Sequence, residues 1–449
     1  MSEKRSSFSS RLGFVLAAAG SAVGLGNLWR FPYLAARYGG GIFLLVYLVL
    51  AVTFGFTLMA AEIALGRKTG LSAIGAFRAL NKKYTFIGYL ASIPPMIILP
   101  YYCVIGGWVT KYLWVFASGQ GAASAEPGFF KAFIAQPAQP VLWLCLYLGL
   151  TALVVLLGVE KGVEKVSKWL MPVLVVLSVF MAVYVLFLPG ALDGLVYYIK
   201  PDFRNFSATT VLAALGQLFY SMSLAMGIMV TYGSYMKKED DLTGSVRQIE
   251  IFDTGIAFVS GLMIVPAVFA FSGGDAAALD EGTSLMFSTL PRVFASMPGG
   301  SIIGGVFFLL VMLAALTSSI SLMETVVSIL QDKLKWSRNV TCLAVIGLCL
   351  AFGIPSSLSK GVWKDFTIFG KDIFDFFDFS ANSVIMPIVA VLTCVFVGYV
   401  LKPKTVIEEA RMGRRDGALF SVVIRYVAPV CILLILLSSL LGELGILSI

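Results

Sequence analysis

Long apolar runs recur along this chain, separated by short polar breaks. A helix needs about 20 consecutive apolar residues to cross the hydrocarbon core of a bilayer. Eleven segments are read as spans, the fourth and ninth of them short: residues 12–36, 41–66, 85–117, 141–158, 166–188, 209–235, 246–272, 301–330, 340–354, 380–401 and 419–443. Their unbroken succession predicts an all-α membrane protein built as one domain over 1–449.

Composition agrees with this pattern. The chain has 449 residues, of which 59% are hydrophobic and 13% charged, whereas soluble domains carry about a quarter charged residues. The net charge of +8 would suggest a nucleic-acid partner if it were clustered on a soluble face. Instead the lysines and arginines alternate with the spans. They gather at Lys4, Arg5 and Arg11, at Arg67 to Lys83, and at Lys161 to Lys168. Further groups run from Lys237 to Arg247, from Lys333 to Arg338, and from Lys402 to Arg425. This is the positive-inside pattern. It predicts a multi-pass inner-membrane protein with a cytoplasmic N-terminus, and it accounts for the charge without nucleic acid. The basic N-terminus MSEKRSSFSSR shows no cleavable signal, and the sequence indicates no obligate protein partner.

The residue inventory excludes most chemistry. Histidine is absent, which removes imidazole ligands, triads and histidine proton relays. The six cysteines sit singly inside apolar runs, as small buried hydrophobes do. No acid–base or metal constellation gathers in one place, so an enzyme is not expected. No ring-forming filter sequence suggests a channel.

Two spans are interrupted by small residues near mid-depth, Ala-Gly-Ser-Ala-Val-Gly-Leu-Gly-Asn at 19–27 and Tyr-Ser-Met-Ser-Leu-Ala-Met-Gly at 220–227. If spans 1–5 and 6–10 are two repeats, each interruption falls in the first helix of its repeat. Paired breaks of this kind mark midplane transport sites. The alternative is that the glycines only let helices pack closely. An unwound segment frees amide N–H groups that suit a carboxylate and carbonyl oxygens that suit sodium, and Asn27 and Ser221 add side-chain oxygens. On the eighth span Ala314, Thr317 and Ser318 share one helix face, positioned to complete a sodium shell. Equally, the two hydroxyls can bond back to carbonyls of their own helix. Leu322 extends that face by a turn, and Ile98 and Tyr102 pair at i and i+4 on the third span.

Five stretches in this order resemble the neurotransmitter:sodium symporter family, in particular its bacterial amino-acid members: RLGFVLAAAGSAVGLGNLWRFPYLAARYGGGIF (11–43), GQLFYSMSLAMG (216–227), TYGSYMKKEDD (231–241), TLPRVFASMPGG (289–300) and LAALTSSISLME (313–324). The resemblance implies a leucine-transporter-like 5+5 inverted-repeat core with eleven transmembrane helices and broken helices 1 and 6. Repeat one would span 1–188, repeat two 209–401, and the extra helix 419–443. It also implies sodium-coupled symport by alternating access.

Carried over residue by residue, two sodium ions are implied. The first would meet Ala22, Asn27, Ser221 and Asp253, and the second Gly20, Val23, Ala314, Thr317 and Ser318. The substrate would meet Ala22, Gly24, Leu25, Gly26, Ile98, Tyr102, Tyr220, Ser221, Ser223, Met226, Ser318 and Leu322. Monoamine members carry an aspartate at the position of Gly24, so its absence implies a substrate that brings its own carboxylate. The apolar Ile98, Met226 and Leu322 suit a hydrophobic or aromatic L-amino acid. Another small amino acid, an amine or an osmolyte is the alternative. Asp253 stands where the family mostly has asparagine, and beside it Tyr47, Gln217 and Ser221 match residues that surround chloride in chloride-dependent relatives. A fixed carboxylate there implies chloride-independent transport. Arg30 with Asp378 resembles the outer gate, and Arg5 with Asp332, supported by Tyr235, the inner one. Phe8 replaces the tryptophan that usually plugs the inner vestibule. Glu62 is expected to accept bonds from the freed backbone. Gly162 and Pro172 have the spacing at which relatives unwind the fifth span; a simple proline kink is the alternative.

Overall fold

The computed structural model describes residues 7–273 and 283–443. Nine of its helices are long and apolar enough to cross a membrane, and a bent pair makes a tenth crossing, counted among the described residues. The bent pair is α1 (Arg11–Ala22) and α2 (Gly26–Arg37), which meet at 55°. The continuous helices α3 (Gly41–Thr69), α4 (Lys82–Ala117), α5 (Gln139–Leu156) and α6 (Val159–Leu186) follow. The segment expected as a sixth span is two shorter helices, α7 (Ala208–Ser221) and α8 (Ile228–Gly233). The remaining long helices are α9 (Leu242–Ser272), α10 (Gly300–Leu334), α11 (Arg338–Ser359), α12 (Ile373–Val400) and α13 (Arg414–Glu443).

Helix starts follow from capping. Ser10, Ser207, Asp241 and Asp372 each accept a backbone N–H from the first turn of α1, α7, α9 and α12, which satisfies donors that the helix itself leaves free. The Asp372 cap explains why α12 begins at Ile373 rather than near 380, despite two aspartates in its first turns. Likewise Pro355 does not end α11 short, because the helix runs through it to Ser359; neighbouring helices shield the backbone that proline leaves unpaired.

Burial separates core from rim. In α4 and α10 some 78% of the central window is buried within the protein, against 33% in α6 and α13. The two buried helices pack along each other, and α1 lies against both α9 and α10. Lipid-facing positions on α6, such as Val176 at 65% exposure, carry apolar side chains because their solvent is hydrocarbon.

The two breaks are bonded to one another. Val23 is extended (φ −71°, ψ 103°) where α1 ends. Between α7 and α8 the backbone turns left-handed at Ser223 (φ 54°), Ala225 (φ 59°) and Gly227 (φ 70°). Non-glycine residues adopt that region at a cost of about 1–3 kcal/mol each, and they persist only where surroundings enforce it. Here the enforcing contacts are visible. Ser223 Oγ donates to the Ser21 carbonyl at 2.9 Å, and Glu62 of α3 accepts the Ala225 N–H at 2.7 Å. The expectation for Glu62 thus describes its contact.

Candidate functional site

Three elements converge on the broken helices. Ser318 of α10 has its hydroxyl within hydrogen-bonding reach of three carbonyls of the first break, Gly20 at 3.4 Å, Ser21 at 3.2 Å and Val23 at 3.3 Å. Gly20 approaches so closely that a Cβ there would stand 3.1 Å from Cβ of Thr317. The Thr317 hydroxyl, however, turns back to the Ala314 carbonyl at 3.0 Å and the Leu313 carbonyl at 3.2 Å. Of the two hydroxyls on this face, Ser318 reaches across and Thr317 follows the bland alternative.

A second oxygen-rich group surrounds Asp253 of α9, which is fully buried. Its Oδ1 accepts from Asn27 Nδ2 at 2.8 Å and from Ser221 Oγ at 2.7 Å, while Tyr47 Oη lies 3.5 Å from Oδ2. Asn27 Oδ1 in turn accepts the Gly24 N–H at 3.1 Å. Gln217 donates to the Gly26 carbonyl at 3.0 Å and leaves its own Oε1 buried without a partner. Asn27, Ser221 and Asp253, far apart in sequence, are therefore one hydrogen-bonded cluster.

Every residue expected to meet the substrate lines a single cavity of about 50 Å³. Ile98, Met226, Ile228 and Leu322 give it an apolar part, and Ser21, Ser221, Ser223 and Ser318 a polar one. The buried Tyr102 hydroxyl lines it with no hydrogen-bond partner of good geometry. At Gly24 a Cβ would sit 2.7 Å from Ser318 Oγ and 3.3 Å from Tyr102 Oη, so only a glycine lets the backbone approach this closely. A small polar-and-apolar chamber with an unsatisfied hydroxyl suits a zwitterion with an apolar side chain.

On the side opposite the N-terminus the cavity meets a vestibule of about 810 Å³, and among the described residues only Tyr220 and Asn382 line both. Arg30 and Asp378 face this vestibule but form no ion pair. Arg30 lies over the Tyr220 ring, 5.1 Å from its centroid, and Asp378 accepts from Asn382 at 2.8 Å.

The N-terminal side is shut. Phe8 is buried and packs edge-on against Phe14, Tyr232 and Tyr235. Asp332 accepts from the N–H and the hydroxyl of Ser72 at 2.8 and 2.6 Å; Arg5 lies outside the described residues. Tyr235 donates to Glu324 at 2.8 Å, and Glu324, fully buried, also pairs with Arg338. The start of α6 keeps its helical form, Gly162 lying within the turn Val159–Glu164, so the unwinding expected there is not present in this conformation.

Sequence reasoning missed Asn382, Glu164 and Arg338. Asn382 had a usable signal, standing four residues after Asp378 on the same helix face. The other two carry none, since each is one charge among many at a helix end.

The sequence profile of the sodium:neurotransmitter symporter family matches residues 5–120 and 131–443. A sodium-dependent transporter of Bacillus subtilis (strain 168) is 34% identical over the whole of both chains. One from Haemophilus influenzae is 32% identical over 98% of this chain and 99% of its own. The sodium- and chloride-dependent GABA transporter 2 of Bos taurus is 25% identical over 85% of this chain and 70% of its own. Among solved structures, the crystal structure of MhsT in complex with L-phenylalanine superposes with a TM-score of 0.88 at 39% identity, covering 97% of this chain and 100% of that one.

Proposed function

Since the chain belongs to the sodium:neurotransmitter symporter family, and is a multi-pass sodium-coupled transporter rather than an enzyme, we propose that it carries hydrophobic or aromatic L-amino acids by alternating access, independently of chloride. The observation that carries the substrate class is the cavity itself. Among the described residues its lining holds no carboxylate to neutralise a lone amine, while the Tyr102 hydroxyl and the backbone at Leu25 and Gly26 offer donors to a substrate carboxylate. Ile98, Met226 and Leu322 then receive the side chain. MhsT, solved in complex with L-phenylalanine, supports the same class.

We read two sodium positions, with sodium as co-transported cargo. Ala22, Asn27, Ser221 and Asp253 make the first, beside the substrate. Gly20, Val23, Ala314, Thr317 and Ser318 make the second, with the Thr317 hydroxyl turning out of its own helix to join. The Asp253 carboxylate supplies the fixed negative charge that chloride supplies elsewhere, and the partnerless Gln217 Oε1 offers an acceptor, not a donor, to that locus. We also read the core as two five-helix repeats, 1–188 and 209–401, with 419–443 as the added helix and the N-terminus cytoplasmic. In this reading the vestibule is the external mouth, Tyr220 its lid, Arg30 with Asp378 the outer gate, and Arg5, Asp332 and Tyr235 the inner one.

Reconstitution in proteoliposomes tests this. An inward sodium gradient should drive accumulation of a labelled hydrophobic amino acid, a potassium gradient should not, and replacing chloride by gluconate should leave uptake unchanged. Sodium-dependent uptake of amines or osmolytes alone would overturn the substrate class, and strong chloride dependence would overturn the role of Asp253.

A further inference from the structure

Asn382 occupies the boundary between cavity and vestibule, which among the described residues it shares only with Tyr220. It lies in a wide turn, Phe379–Ile385, of the kind that interrupts helices at functional positions. Its amide is fully oriented by its neighbours. One Nδ2 hydrogen goes to Asp378 Oδ1 at 2.8 Å and the other to Tyr101 Oη at 3.0 Å. An ionised carboxylate can only accept, so the NH2 group must face Asp378 and the carbonyl oxygen must point away. That Oδ1 is buried and has no donor.

A buried acceptor without a donor is destabilising, and such a group is retained where another state of the molecule satisfies it. Arg30 faces the same vestibule, is a donor-rich group with no ion pair among the described residues, and stacks on the ring of Tyr220, which lines the boundary together with Asn382. A guanidinium presents its N–H groups as a rigid fork, and Asp378 and Asn382 offer two acceptors one helical turn apart on one face.

We propose that Asn382 is a gating residue of the outer lid. When the lid closes over a bound amino acid, Arg30 leaves the face of Tyr220 and takes Asp378 with one arm and Asn382 Oδ1 with the other, sealing the boundary. In the open state Asn382 does the converse, holding Asp378 through its NH2 group so that the carboxylate is not left bare while Arg30 is away. The inference rests on the transport reading, because it concerns retention of the transported molecule.

The test is the release rate of labelled L-phenylalanine from purified full-length protein in sodium. The wild-type arm tests the transport reading by itself; the variants test Asn382 against it. Asn382→Ala removes the acceptor and should speed release about tenfold. Asn382→Asp keeps an acceptor and, because two carboxyl groups this close share a proton, keeps a bond to Asp378, so its release should stay within about threefold of wild type. In an Arg30→Ala background, Asn382→Ala should add nothing. Fast release from Asn382→Asp would mean that an acceptor at this position does not hold the lid, and a full additional effect in the Arg30→Ala background would mean that Asn382 acts without Arg30. Either result overturns the proposal, and the Asp variant, near-isosteric with asparagine, guards against a folding defect in the alanine one.

Discussion

The two sides of the central cavity differ in how their charges are used. Toward the vestibule, Arg30 and Asp378 face water unpaired, and one tyrosine and one asparagine separate solvent from cavity. Toward the N-terminus, among the described residues, three buried charges are engaged. Glu324 holds Arg338 and Tyr235. Glu164 takes Ser9, Ser10 and Lys168. Arg67 is buried against the Glu409 carboxylate, which also takes Lys238, and donates to the Asp240 carbonyl. The lesson concerns conformation. On the proposed alternating-access reading a side is open where its gating charges are unspent and closed where they are paired, which makes this conformer shut on the N-terminal side by several pairs at once.

The sharpest way to break that contrast is Glu324→Ala. It takes the carboxylate from the Arg338 guanidinium, which keeps only its bonds to the Val155 carbonyl, and removes the acceptor of the Tyr235 hydroxyl. Removing one partner of a buried pair costs about 3–5 kcal/mol, and the lower end applies because Arg338 is 21% exposed. The closed side should loosen, and Cys342, fully buried one turn beyond Arg338, should react with a thiol reagent on the order of a hundredfold faster. Cys145 and Cys431, which are not fully buried, would first be replaced. Unchanged labelling would show that this pair does not hold the face shut.

Next in size is a change at the centre that should leave both gates alone. Gly24→Ala places a methyl group 2.7 Å from Ser318 Oγ and 3.3 Å from Tyr102 Oη. Overpacking of this degree costs about 1–3 kcal/mol, which predicts a ten- to hundredfold loss of amino-acid affinity in sodium with Cys342 labelling unaltered. Ser318→Ala is milder. It removes the hydroxyl that reaches the carbonyls of Gly20, Ser21 and Val23. One hydrogen-bonding group is worth about 1 kcal/mol, so the sodium concentration for half-maximal binding should rise about fivefold; an unchanged sodium requirement would exclude Ser318 from the second position.

The contrast also sorts what the sequence made legible. The cavity was readable because its residues lie in two short interruptions and on two helix faces, local patterns that survive without coordinates. Long apolar helices were readable for the same reason. The closed side was not, because its contacts join distant charges of no distinctive type. Glu164 reaches Ser9 across 155 positions and Arg67 reaches Glu409 across 342. Thr317 shows the limit even within one helix, since nothing in a sequence tells a hydroxyl that crosses to a neighbour from one that bonds its own backbone. Span ends were displaced for a local reason as well, where Asp372 caps α12 a full two turns before the apolar run begins.

The smallest effect is the most discriminating. The Glu164 side chain is 1% exposed and accepts from Ser9 N at 2.7 Å, Ser9 Oγ at 2.5 Å, Ser10 Oγ at 3.2 Å and Lys168 Nζ at 2.6 Å. It thereby pins the segment before α1 to the start of α6, and Gly13 makes the room, since a Cβ there would fall 2.0 Å from Glu164 Oε1. Ser9→Ala removes one of four donors and leaves the carboxylate bonded, and Ser9 itself is exposed, so water can take the vacated place. The loss should be about 0.5–1 kcal/mol, raising Cys342 labelling two- to fivefold while release of the amino acid toward the vestibule keeps its wild-type rate. If release toward the vestibule changed as much as Cys342 labelling, the two sides would not be separable devices, and the pairing of charges on one side would have to be read as part of a single packed core rather than as a closed gate.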